Sequence, residues 1–278
     1  MNRQKLIAKV TDPNFMLRRL TPASWLAVAL LIVISLAGVL APLVANHNPL
    51  AVSTTVTGPG LSHWLGTDAS GRDIFSRLVY GTRWSLAIGL GATLFALVFG
   101  AIIGSLAASA HHLGDELIMR TLDIIMAFPG IALAAVLVLV FGRAIPVLMM
   151  AIGFVYLPSV ARLVRANVQS EFSKDYVQAE RISGARTVYI LIKHVAINCA
   201  APIVVFSTIL VADAIVFESA LSFMGTGIRP PDPSWGSILA DGKEMILTGG
   251  WWATLFPGLL ILITVLSLNI LAEGVADV

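Results

Sequence analysis

The chain has 278 residues, 57% of them apolar and 12% charged, with a mean hydropathy of +0.88. Soluble domains carry about 25% charged residues, so the composition excludes an ordinary water-soluble fold and marks an integral membrane protein. A net charge of +2 with no basic cluster leaves nucleic acid no surface to bind, and a single cysteine, Cys199, excludes an internal disulfide or a cysteine-rich metal site.

Residues 1–23 form a polar N-terminal segment with Arg3, Lys5, Lys9, Arg18 and Arg19 against Asp12 alone. A six-span domain is expected over residues 24–273. Its first span, 24–45, has the ~20 apolar residues that cross a bilayer. That is too long for the ~7–15-residue core of a signal peptide, so the span is read as uncleaved. Residues 46–83 follow as an outer loop. At its end Ile74, Phe75, Leu78 and Val79 lie opposite Arg72 and Asp73, which predicts a helix lying in the membrane interface.

The second span, 84–110, carries Gly100 and Gly104 as a G-x-x-x-G pair that admits a neighbouring helix closely. In the third, 117–141, Arg120 and Asp123 sit one turn apart, the spacing of a local ion pair. Phe128-Pro129-Gly130 predicts a kink there. The fourth span covers 145–164 and includes Pro146 and Pro158.

Residues 169–198 make a long polar break. Asp175 is placed to cap a helix, with Gln178 in the capping-box position. Tyr176, Ala179 and Ile182 recur at helical spacing, and Gly184 is the residue type that ends a helix in the left-handed conformation. The expectation is a short amphipathic helix over 175–183, suited to a groove on another protein. The alternative is a solvated connecting loop.

The fifth span, 199–224, holds Asp213 and Glu218. Intramembrane acids face a bundle interior or an aqueous path, and these two are read as hydrogen-bonded structural carboxylates, with a proton relay as the alternative. A second outer loop, 225–250, precedes Trp251 and Trp252, which open the sixth span as interfacial anchors. That span runs to 272 with an interruption at Pro257-Gly258, and 274–278 is a short tail.

Twelve of the 18 Lys and Arg residues fall on the side that carries the N-terminus and the 169–198 loop. The positive-inside rule places that side, and both termini, in the cytoplasm. No G-x-x-x-x-G-K-[ST] loop occurs, so the chain does not bind ATP in that manner. His47, His63, His111, His112 and His194 are scattered through loops and make no metal-ligand motif, and no catalytic constellation is present.

Four stretches taken together resemble one family, the permease subunits of ABC importers for dipeptides and oligopeptides. They are Leu65-Gly66-Thr67-Asp68 with Gly71-Arg72-Asp73, Ser76-Arg77 and Tyr80-Gly81; Met119-Arg120 with Asp123 and Ala127-Phe128-Pro129; Tyr176-Val177 with Ala179, Gly184, His194 and Asn198; and Glu218 through Gly225 followed by Pro233-Ser234-Trp235-Gly236. The resemblance runs from about Trp25 to Glu273. It implies the all-α, type I (MetI-like) permease fold: six transmembrane helices with a cytoplasmic coupling helix. It further implies a multi-pass protein of the cell membrane that pairs with a second homologous permease and is driven by two ATPase subunits that carry the ATP and Mg. An extracytoplasmic binding protein would deliver the peptide.

By the same resemblance Asp175, Tyr176, Ala179, Glu180, Ile182, Gly184 and His194 couple to the ATPases, and Asp213, Glu218, Phe128 and Pro129 line or gate the path. Asp68, Arg72, Asp73 and Trp235 meet the binding protein. Related permeases carry nickel or antimicrobial peptides. An ion-coupled secondary transporter using Asp213 and Glu218 is the rival class. Within the 169–198 loop two residues depart from the family pattern: Glu180 stands where a second alanine is usual, and Ile197 replaces the usual proline before Asn198; farther on, Ala272-Glu273-Gly274 stands in place of the usual Gly-Asp-Gly.

Overall fold

Two helices whose contact faces carry glycine come close enough for backbone to touch side chain, and the rest of the bundle is arranged around that contact. The structure is a computed structural model that describes residues 21–276; the basic segment 1–20 and the last two residues lie outside the described residues. In chain order the helices are α1 (Pro22–Val39), α2 (Ala41–Val44), α3 (Ile74–Ser109), α4 (His112–Met126), α5 (Gly130–Phe141), α6 (Ile145–Phe172) and α7 (Asp175–Ile182). There follow α8 (Thr187–Ile190), a π turn over Leu191–Val195, α9 (Ala196–Asn198), α10 (Ala200–Phe223), α11 (Trp235–Ile246) and α12 (Trp252–Ala276). Five of them are long and apolar enough to cross a bilayer, or six spans result if the bent pair α4–α5 counts as one.

The α3–α6 pair is the largest contact in the bundle. A Cβ on Gly100 would meet Val160 Cβ at 2.7 Å, and one on Gly153 of α6 would meet the Ala92 carbonyl oxygen at 2.7 Å. Gly104 is closer still to the Ala161 carbonyl. Among lipid tails there is no hydrophobic gain from helix pairing, so association rests on van der Waals packing, which such small residues maximise. The partner of the G-x-x-x-G pair is therefore α6.

Several expectations are corrected. Residues 74–83 do not form a separate interfacial helix. Asp73 caps α3 by accepting from the Ser76 amide at 2.8 Å, and the helix then runs unbroken for 36 residues into the second span. Ile74 and Leu78 are buried in the bundle instead of facing lipid headgroups. Arg120 and Asp123 do not pair with each other. Arg120 lies 3.7 Å from Glu116, while Asp123 pairs with Arg162 and Asp115 with Arg165, so two ion pairs tie α4 to α6. At Phe128-Pro129 the chain breaks into two helices at 84°, far sharper than a kink. Pro158 and Pro257, by contrast, sit inside continuous helices, so the expected interruption of the sixth span is absent. Helix α6 also runs eight residues past the expected end at 164. Helix α1 is closed at its C-terminal end by a residue of the next span: Arg83 donates to the Gly38 carbonyl at 2.6 Å and the Val39 carbonyl at 2.8 Å.

A side chain larger than hydrogen at the α3–α6 contact would separate the two helices. Gly104→Leu is expected to destabilise the chain by about 1–3 kcal/mol, visible as a lowered thermal midpoint in detergent. Gly258→Ala, where an added Cβ meets nothing, should leave it unchanged or raise it.

Candidate functional site

The end of the bundle predicted to face the cytoplasm carries α7. Sequence reading placed Asp175 at its N-cap. The cap residue is Lys174, extended at φ −77° and ψ 149°, with no side-chain capping bond. Asp175 is the first helical residue, where its charge still favours the positive end of the helix dipole. The C-terminus is as expected. Gly184 has φ +85°, its amide donates to the Arg181 carbonyl, and the Ala185 amide donates to Glu180 at 3.0 Å. These two bonds are a Schellman motif.

What holds α7 against the bundle was not legible in the sequence. Val177 is fully buried, packed with Val164 and Val168 of α6 and with Ile190, Val195 and Cys199. Beside it the Glu171 carboxylate, at the end of α6, accepts from the Tyr176 hydroxyl at 2.7 Å, from Asn198 Nδ2 at 3.4 Å, and from Lys174 Nζ. Asn198 also donates to the Tyr176 oxygen at 3.1 Å. Burial first, and then the bond to Glu171, push the Tyr176 hydroxyl above the usual phenol range, so it remains a donor at physiological pH. The Glu171–Lys174 pair holds the Lys174 ammonium above its usual value.

With Val177 turned inward, Ala179 and Ile182 are left exposed, Ile182 at 88%. Glu180, one of the two departures from the family pattern in the 169–198 loop, lies 3.6 Å from His194 and so links α7 to the π turn. Ile197 is exposed and continues the helical path into α9.

The opposite end is a polar lattice. Asp68, nearly inaccessible, accepts from the Ser70 and Arg72 amides at 2.8 and 3.0 Å, from Arg72 Nε at 2.8 Å, and from Arg77. Arg77 reaches Asp241 of α11 at 2.9 Å and Arg72 reaches the same carboxylate at 3.4 Å. Trp235 is fully buried between α11 and α3; its amide donates to Ser85 Oγ at 3.0 Å and its indole N–H to the Leu78 carbonyl at 3.3 Å. Of the four residues expected to meet a binding protein, Asp68, Asp73 and Trp235 are therefore buried and shape the surface from beneath, and Arg72 alone stays partly accessible. Helix α11 itself was missed, although Ser234 and Ser237 make a reciprocal capping box at its start.

Glu218 is fully buried. Its Oε1 accepts from Ser222 at 2.7 Å and from Ser234 at 2.9 Å, so the α11 cap is joined to α10. The Oε2 of Glu218 is buried with no hydrogen-bond partner among the described residues, so the expected hydrogen bonding is present at one oxygen only. Asp213, five residues earlier, is exposed in the single chain. Phe128 and Pro129 are also exposed, and the adjoining Gly130 faces Phe217, one turn beyond Asp213, at 3.6 Å from its would-be Cβ. The α4–α5 break and the Asp213 face of α10 thus adjoin.

A profile described as binding-protein-dependent transport system inner membrane component matches residues 96–278. The chain belongs to that family. A Brucella suis biovar 1 (strain 1330) relative that carries a peptide transport system permease name is 41% identical over 255 residues, 91% of this chain and 86% of that one. The di/tripeptide transport system permease protein DppC of Pseudomonas aeruginosa (strain UCBPP-PA14) is 38% identical over 85% of this chain and 80% of its own length. Among solved structures, an inward-facing MetNI methionine ABC transporter chain superposes with a TM-score of 0.61 at 19% identity, over 72% of this chain and 95% of that one. The fold is thus that of an ABC transporter permease, and the protein is a multi-pass membrane component of a transport system.

Removing the Tyr176 hydroxyl tests whether the Glu171 network positions α7. Hydrogen bonds to a charged group contribute about 1.5–3 kcal/mol, so Tyr176→Phe should speed amide exchange over 175–182 roughly tenfold to a hundredfold. Exchange across the α3–α6 contact should not change.

Proposed function

We propose that this chain is the permease subunit of an ATP-driven ABC importer, forming half of a translocation path for dipeptides or oligopeptides. The observation that carries the reading is α7: a short helix with an exposed apolar residue at its tip, held to the end of a long span by a buried carboxylate network. Ile182, exposed on a short helix outside the apolar spans, suits a groove on an ATPase subunit. The peptide assignment draws on the relatives' names, with DppC of Pseudomonas aeruginosa among them.

In this reading two ATPase subunits hold the nucleotide, and one docks on α7 through Ala179, Ile182 and Gly184. A second homologous permease covers the exposed side of α10 and α5. An extracytoplasmic binding protein loads the peptide over the surface supported by Asp68, Arg72, Asp73 and Trp235. A carboxylate on an apolar helix is costly against lipid, so Asp213, with Phe128 and Pro129 beside it, is assigned to the water-filled path between the two permeases. ATP binding draws the ATPases together, and α7 passes the motion to α6 as a rigid element, switching the path between its two openings. The domain division proposed with it is 24–273 as the six-span domain with cytoplasmic flanking segments, while the helices themselves begin at Pro22 and continue to Ala276.

Introducing charge at the tip of α7 should separate the subunits. Ile182→Asp is expected to leave the permease inserted but reduce ATPase co-purification and peptide uptake by roughly tenfold or more, the scale of losing one central apolar anchor. Full recovery of ATPase with this variant and with Ala179→Trp would put docking elsewhere. Orientation is checked separately in a Cys199→Ser background. An impermeant thiol reagent added from outside should label Ser70→Cys and not Ser173→Cys; the reverse would overturn the assigned sides.

A further inference from the structure

The fold gathers residues that the sequence keeps apart. His47 follows α2, His63 lies in the loop beyond it, and Asp73 caps α3. Their ligand atoms all come within 4.8 Å of one another. Asp73 Oδ1 is 2.9 Å from His63 Nδ1 and 3.9 Å from His47 Nδ1, and the two imidazole rings are 4.7 Å apart between centroids. Asp73 is 3% exposed and His47 43%, so the carboxylate forms a floor while one ring opens to solvent.

We propose that His47, His63 and Asp73 form a binding site for one divalent transition-metal ion of the zinc class. Two imidazole nitrogens and a carboxylate oxygen are a donor set that Zn²⁺ takes with its fourth position open to water. Ligand atoms about 2.0–2.1 Å from a tetrahedral ion lie roughly 3.3 Å from one another. The two separations to Asp73 bracket that value, and the set as a whole, held within 4.8 Å, closes on the ion by side-chain rotation, chiefly of the more exposed His47.

The support a metal site needs behind its ligands is also present. Asp73 Oδ2 accepts from the Ser76 amide at 2.8 Å, and the His47 amide donates to Ser76 Oγ at 3.1 Å. These bonds fix the carboxylate and the backbone of one imidazole. Metal entry needs His63 Nδ1 free of its proton, which a neutral ring achieves by shifting it to Nε2. The ion replaces the hydrogen bond between His63 and Asp73 by two coordinate bonds and adds His47, pinning the loop between α2 and α3 at both ends. A purely hydrogen-bonded cluster would bind no ion and would leave that loop's mobility insensitive to metal.

The test uses the full chain, purified in detergent through a tag without histidine and stripped with chelator. Equilibrium dialysis against Zn²⁺ should give about one ion per chain, and Co²⁺ in its place should give the visible absorption of a tetrahedral complex. His47→Ala and His63→Ala should each weaken binding by roughly tenfold or more, while His111→Ala should not. His47→Ala removes a half-exposed side chain, and its elution as a monodisperse species confirms that the fold survives. Zn²⁺ should slow amide exchange over residues 47–63 in the unaltered chain and in His111→Ala, and should not in His47→Ala or His63→Ala. Absence of stoichiometric Zn²⁺, or equal affinity in all three variants, would overturn the proposal. Neither result depends on what the chain transports.

Discussion

The close approach of α3 and α6 is the constraint from which the rest of the bundle follows. At Gly100, Gly104 and Gly153 there is no side chain to give way, so the register of the two helices is set by backbone shape. The other spans then fill the faces that remain. Helix α10 packs on α3, α5 lies on α6, and the two ion pairs from Arg162 and Arg165 bring α4 against the C-terminal half of α6.

The end opposite α7 is held by different physics. Asp68 and Arg77 are charges taken almost completely out of water, and Arg77 Nε finds no partner among the described residues. Such a pair contributes little net stability over an apolar substitute, but removing one member typically costs about 3–5 kcal/mol because the other is left uncompensated. Its value here lies in specificity. Asp68 gathers the loop, Arg77 belongs to α3, and Asp241 belongs to α11, so the cluster admits one arrangement of three separate segments. Trp235 and the Ser234–Glu218 bond extend the same lattice to α10.

The spans were legible because each is a long apolar run, and α10 and the start of α12 fall close to where hydropathy ends them. Helix α7 and its glycine stop were legible from local helical spacing and from Gly184, although the capping box expected at Asp175 and Gln178 is absent. Long-range polar partners were not. Nothing in the spacing of Asp123 reveals that Arg162, and not Arg120, will face it across two helices. Arg72 and Asp73 looked like the polar side of a surface helix because a charged residue reads as exposed until its partner is known. Val177 was hidden for the converse reason: one buried valine in a polar stretch has no periodicity to announce it. Helices α8, α9 and α11 are short or interrupted and were lost in loops. The proline at 257 misled because its missing N–H is tolerated inside a span when the surrounding helix stays packed.

The Schellman stop at Gly184 and the Glu171 network make α7 a foot fixed to the end of α6. At 1.5 Å per residue the 28 residues of α6 span about 42 Å, so the foot and the far tip of the helix are separated by the thickness of the whole bilayer. At the contact with α3, Gly104 lies against the Ala161 carbonyl, Gly100 against the Val160 side chain, and Gly153 against both the Ala92 carbonyl and Phe95, which leaves little room for one helix to shift along the other. In the proposed transport cycle, pressure on the foot would bear on that contact as a crowbar bears on its fulcrum. Pro158, which removes one hydrogen bond from the ladder of α6 beside the same contact, is where a tilt begun at the foot would bend before it reached the far end.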